Sequence, residues 1–115
     1  MNGKFDSVRM IRSIHVRMAR AALNWTLRDL EKRAGVNKNT ISRYEAGRDV
    51  MSSTLDSLEK AFTDEGVIFI VGEGSLGPGV RLTQKAYVGV LGRRKRAAQS
   101  AKRRTKPKRR VRRVG

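Results

Sequence analysis

Residues 26–47 read TLRDLEKRAGVNKNTISRYEAG, and this stretch decides the fold. Thr26 followed three residues later by Asp29 is close to a capping box, in which the threonine oxygen accepts an exposed amide while the carboxylate reaches back to the cap. Leu27, Leu30 and Ala34 then form an apolar stripe, and Gly35 supplies the backbone freedom that ends a helix. Asn37 caps a second helix through about Glu45, which carries Ile41 and Tyr44 inward and is closed by Ala46 and Gly47. Only Gly35, Val36 and Asn37 separate the two helices. A turn of that length with glycine at its start is the geometry of a helix-turn-helix unit.

Working outward, residues 13–23 (SIHVRMARAAL) place Ile14, Met18, Ala21 and Ala22 on one side of an earlier helix, with Arg17 and Arg20 interleaved. Val8 and Ile11 roughly continue that stripe, so residues 1–12 are an N-terminal arm or a helix extension. Trp25 lies between two apolar patterns and is expected in the core, whereas His15 is expected on the helix surface. A fourth helix starts at Ser53 or Thr54, with Leu55, Leu58, Ala61 and Phe62 at helical spacing. After Gly66 the pattern becomes β-branched and aromatic, Val67 to Val71, then glycine-rich, then alternating over Val80 to Thr83, which predicts a hairpin within residues 66–85. So apolar a strand must pack on the helices or pair with another subunit. The loop Gly72-Glu73-Gly74-Ser75-Leu76-Gly77 has the G-x-G-x-x-G spacing of dinucleotide sites. Pro78 and Gly79 follow where that fingerprint needs a helix, and no acidic residue lies after Glu73, so the glycines read as a hairpin loop.

With 27 Lys and Arg against 10 Asp and Glu, the 115-residue chain carries +17, which points to a polyanionic partner. The charge is unevenly placed. Residues 1–73 hold 12 basic and all 10 acidic residues, whereas residues 74–115 hold 15 basic and no acidic residue. Residues 93–115, with 13 Lys or Arg in 23 and Pro107 among them, repel one another and offer little apolar surface, so residues 86–115 are expected to be a disordered basic tail. No cysteine and a single histidine leave no disulfide, metal site or cofactor to expect. No segment joins a nucleophile, a base and an orienting group, so the chain is not expected to be an enzyme. The longest apolar stretch, Val67 to Val71, is far below the roughly 20 residues that span a bilayer. A cytoplasmic, nucleoid-associated protein without a membrane partner is the expectation.

The stretch Thr26 to Gly47 resembles the Xre/Cro-type, lambda-repressor-like helix-turn-helix family. The likeness lies in Trp25-Thr26, Ala34-Gly35-Val36, Thr40-Ile41-Ser42 and Glu45-Ala46-Gly47-Arg48, and with the flanking helices it covers about residues 13–65. The fold class expected is mainly α: a four-helix lambda-repressor-like domain over 13–65, then the hairpin, then the tail. The segment GVIFIVGEGSLGPGVRL resembles a hairpin variant that replaces the fifth helix of many relatives. The chain departs from the family pattern at Leu27, where many relatives have a backbone-gripping Gln, and near Val50-Met51, where a proline is common.

The resemblance implies double-stranded DNA as partner and a structural salt bridge between Arg20 and Glu45. A helix fits the major groove, and its first exposed turn reaches base edges. Here that turn presents Lys38, Asn39, Ser42 and Arg43, with Asn37 at the cap, as expected base contacts. Arg and Lys suit guanine O6 and N7, and Asn suits adenine N6 and N7. The competing account is an ordinary solvated face, and Ser42 reads equally well as a small residue that lets the helix approach the backbone. Arg28, Thr40 and Arg48 are expected phosphate contacts, as are Arg93, Arg94, Lys95 and Arg96 of the tail. The function expected is a sequence-specific transcriptional regulator acting as a homodimer, since one recognition helix covers only a few base pairs. The hairpin strands, through edge pairing or the Ile68 or Phe69 face, are the candidate interface. Two alternatives are an architectural, nucleoid-associated protein in which the tail dominates, and the antitoxin of a toxin-antitoxin pair. A toxin or the transcription machinery would be the protein partner.

Overall fold

The computed structural model describes residues 11–114, with side chains described through residue 101. Among the described residues, five helices and one hairpin follow one another: α1 (Ser13–Leu23), α2 (Leu27–Ala34), α3 (Lys38–Glu45), α4 (Ser52–Asp64), β1 (Val67–Ile70), β2 (Gly79–Leu82) and α5 (Gln84–Val114). The first four helices surround one apolar core in which Leu30, Ile41, Leu58 and Phe62 are wholly buried. Phe62 stacks on Trp25 at 5.7 Å between ring centroids and meets Phe69 of the hairpin edge-on at 6.1 Å. The hairpin thereby closes the same core that the helices build.

The buried face of α1 differs from the one expected. His15, Val16, Ala19 and Leu23 point inward, while Ile14 is 42% exposed and Ala21 is exposed. Val16, Ala19 and Leu23 are also at helical spacing, so periodicity alone admits both stripes. Packing of α1 against α3, β2 and α5 selects the second. The small Ala19 allows close approach there.

His15, expected on the surface, is fully buried. Its Nδ1 accepts the backbone N–H of Arg12 at 2.9 Å, and its Nε2 faces the Ile70 carbonyl oxygen at 3.0 Å. That is the pattern of a neutral imidazole with its proton on Nε2, which leaves neither ring nitrogen unsatisfied and makes burial tolerable. The ring also lies edge-on to Phe69 at 5.3 Å. One side chain thus fastens the start of α1 to the end of β1. Of the expected arm or helix extension at 1–12, residues 1–10 lie outside the described residues, and Ile11 is buried in the core.

The strands pair antiparallel with Val67 opposite Leu82 and Ile70 opposite Gly79. Val67 and Phe69 are buried, and Ile68 and Ile70 are exposed. Strand alternation therefore covers only half of the apolar run. Gly66 makes the entry to β1 with φ of +96°, and a Cβ there would stand 2.6 Å from Thr83 Oγ1 and 2.9 Å from Ala86 Cβ. Its carbonyl accepts the Thr83 N–H at 2.9 Å.

Over the segment expected to be a basic disordered tail, residues 86–115, the structure carries α5, Gln84–Val114. Thr83 starts it, its Oγ1 accepting the Ala86 N–H at 3.2 Å. Ala86 and Gly89 are half-buried and Val90 is buried, so the first turns dock on α1 and β2. Beyond them Ala, Gln, Lys and Arg predominate. These are strong helix formers, and a docked first turn removes the nucleation cost that an isolated basic peptide would face.

Replacing His15 with Ala orphans an amide and a carbonyl and opens a cavity, and is expected to cost about 3 kcal/mol. Ile14→Ala is expected to cost no more than about 1 kcal/mol. Urea unfolding of the two variants checks the ranking, and the reverse order would contradict the orientation of α1.

Candidate nucleic-acid interface

The two short helices present their N-termini to one groove because both are capped there by their own sequence. Thr26 Oγ1 accepts the Asp29 N–H at 3.0 Å, and the Thr26 N–H donates to Asp29 Oδ2 at 2.9 Å. At the far end of α2, Gly35 takes φ of +71° and its N–H donates to Glu31 O. A residue with a Cβ would be strained in that conformation. Asn37 Oδ1 accepts the Asn39 N–H at 2.7 Å, and the Lys38 N–H donates to Glu31 Oε2 at 3.3 Å. The turn between α2 and α3 is thus pinned at both ends by side chain to backbone bonds.

The resulting groove, about 680 Å³, is lined by Trp25, Thr26, Leu27 and Arg28 on one wall and Lys38, Asn39 and Ser42 on the other, with Arg20 at its base. Four of the expected contact residues, Arg28, Lys38, Asn39 and Ser42, are therefore brought together. Two helix N-termini with Arg28 and Lys38, beside an Arg20 already paired with Glu45, give the groove a positive field suited to anions. Arg43 is exposed on α3 outside this groove, Thr40 is half-buried, and Arg48 is exposed just after the helix. Asn37 spends its carbonyl oxygen on the cap, which leaves its amide nitrogen for any outside contact. Arg94, Lys95 and Arg96 are exposed on α5, away from the groove.

Arg20 sets the angle of α3. Its Nε and Nη2 donate to the two Glu45 carboxylate oxygens at 2.7 and 2.9 Å, and its Nη1 donates to the Trp25 carbonyl at 3.1 Å. The hydrogen bond to Glu45 and then its charge raise the Arg20 pKa above the ordinary guanidinium value, against the opposing effect of burial. A raised cation pKa means that this contribution is present throughout the neutral range and fades only in strong alkali. One planar side chain thus joins α1, the α1–α2 loop and the end of α3.

Two capped helices set on a three-residue turn, with a polar, cation-bearing face open to solvent, define a helix-turn-helix DNA-binding domain. A family model described as helix-turn-helix matches residues 16–63, and over those residues the chain is similar to the Xre/Cro-like helix-turn-helix family. No curated protein matches the chain. Among the described residues no helix is long and apolar enough to cross a membrane, and no cluster of acidic or histidine residues has the arrangement of a metal site.

Sequence reasoning assigned Trp25 to the core, where it is, yet its edge also lines the groove. The signal was its position next to the Thr26 cap, which puts any residue there at the mouth of α2.

Arg20→Ala leaves Glu45 partly buried without its partner and is expected to destabilise the domain by roughly 2–3 kcal/mol. Glu45→Gln, which still accepts one guanidinium N–H, is expected to cost less. Thermal unfolding at neutral pH measures both, and equal losses would mean that the bridge holds nothing in place.

Proposed function

We propose that the chain is a sequence-specific transcriptional regulator that reads double-stranded DNA with α3 in the major groove. The observation that carries this reading is the grouping of Lys38, Asn39 and Ser42 of α3 with Arg28 of α2 around one open, positive groove. Lys38 and Asn39 offer donors for guanine and adenine edges, and exposed Arg43 one turn on extends the same reading face. Asn37 serves mainly as the cap, with its amide nitrogen available. Arg28 and Arg48, with Thr40, fit backbone phosphates that set register. Arg93, Arg94, Lys95 and Arg96 add affinity without sequence preference through counterion release.

A homodimer fits this reading, because one α3 spans only a few base pairs. The interface we favour is the outer face of the hairpin. Phe69 is buried and unavailable, whereas Ile68, Ile70 and Val71 are exposed. β1 itself carries no Lys or Arg, and exposed Arg81, opposite Ile68 on the same face, is the cation that a second copy would have to accommodate.

The test is selection of bound duplexes from random DNA by the full chain at moderate salt, followed by a variant in which Lys38, Asn39 and Arg43 are all Ala. Each lost base contact is worth about 1–3 kcal/mol of discrimination, so preference for the selected site is expected to fall on the order of 100-fold or more. A selected palindrome supports the dimer. Unchanged preference in the triple variant contradicts the regulator reading and leaves the architectural one.

A further inference from the structure

A second cleft is also lined by Trp25. About 470 Å³ in volume, it is bounded by Asn24, Trp25, Lys32 and Arg33 of the α1–α2 corner and α2, and by Arg93 and Ala97 of α5. Its charge is unbalanced. Arg33 is occupied, paired with Glu65 and stacked over Trp25 at 5.0 Å, and the cleft's one carboxylate, Asp29, accepts the Thr26 N–H. Arg93 also borders a smaller cavity beside Asp64 and Glu65, but those carboxylates are paired with Lys60 and Arg33. Among the described residues, Lys32 and Arg93 are thus left without an ion-pair partner at one concave site. Two unpaired cations held on facing walls repel each other, and an anion between them removes that cost.

We propose that this cleft is a phosphate site formed by the docking of α5, and that it takes the DNA backbone just beyond the base pairs read by α3. The inference rests on the DNA-binding reading of the groove. Trp25 lines both hollows, so the groove and the cleft share one side chain just before the N-terminal end of α2. A strand whose phosphates follow Arg28 past the mouth of α2 next meets Lys32 and Arg93. Lys32 belongs to the helix-turn-helix body and Arg93 to α5, so the site exists only while α5 is seated through Val90. The basic helix is then a clamp with a fixed place on the duplex. An unplaced cationic chain would contact phosphates anywhere. The ligand chemistry is a phosphoryl oxygen pair, which duplex DNA or a free phosphate could supply.

The full chain with Lys32 and Arg93 both changed to Ala tests this. Both side chains are exposed, so circular dichroism should show an unchanged fold. On a 30-base-pair duplex of arbitrary sequence, the slope of log affinity against log salt is expected to be shallower by about 1.8 than for the parent, two phosphate contacts at about 0.9 each. Arg17→Ala, which lines neither the groove nor the cleft, is expected to leave the slope alone. The lone tryptophan gives a second readout. Titration of inorganic phosphate without DNA reads free-ion binding at the cleft as a Trp25 fluorescence change in the parent that the double variant lacks. A slope unchanged by the double substitution overturns the DNA assignment, whether or not free phosphate binds. A parent chain with no salt-dependent duplex binding removes the underlying reading and this one with it. Normal site preference with an unchanged slope removes only the cleft.

Discussion

The three-way bond from Arg20 to Glu45 and the Trp25 carbonyl is the constraint on which the DNA-facing geometry depends. α2 and α3 are eight residues each, too short to persist as helices alone. Their capping bonds fix where each begins, but caps do not fix the angle between them. That angle comes from Ile41 and Leu30 in the core and from the guanidinium that reaches from α1 to the last turn of α3. Its fork geometry matches a carboxylate and a carbonyl at once, which a lysine could not do. Without it the polar face of α3 would still be polar, but it would not be held across from Arg28.

The net charge and the groove-lining residues are separated along the chain. The residues grouped around the groove belong to a segment whose charges nearly cancel, while the excess lies after residue 73. A nearly neutral body can pack closely and keep α3 in one place. In the proposed function the long cationic helix adds attraction that depends on salt and little on sequence. Seating α5 on α1 and β2 joins the two, because it brings the excess charge to a defined edge of the body.

Much of the helix-turn-helix was legible because its signals are local. Thr26 with Asp29, Gly35 and Asn37 each act on backbone within a few residues, so their reading needed no tertiary knowledge. The hairpin was legible for the same reason, from a change of period at Gly66. What could not be read depended on partners distant in sequence. The face of α1 was ambiguous because two stripes share helical spacing, and the choice lies with what packs against it. His15 looked like a surface residue because its acceptor, the Ile70 carbonyl, is 55 positions away. The docking of the start of α5 through Ala86 and Val90 could not be read because it has no signature stronger than two apolar residues. Lys32 drew no attention, since only the position of α5 places it opposite Arg93.

The junction at Gly66 and Thr83 makes the hairpin an indexing device. α5 begins two residues after the last residue of β2, so its rotation about its own axis is inherited from the strand register. A slip of one residue would exchange the inner and outer faces of the strands and turn the following helix by about 100°. Val90 would leave the core, and Arg93 would no longer stand beside Trp25. Gly66 resists that slip by contact, since it fits against Thr83 and Ala86 with no room for another atom. A residue with no side chain thus sets the heading of the most highly charged element in the molecule.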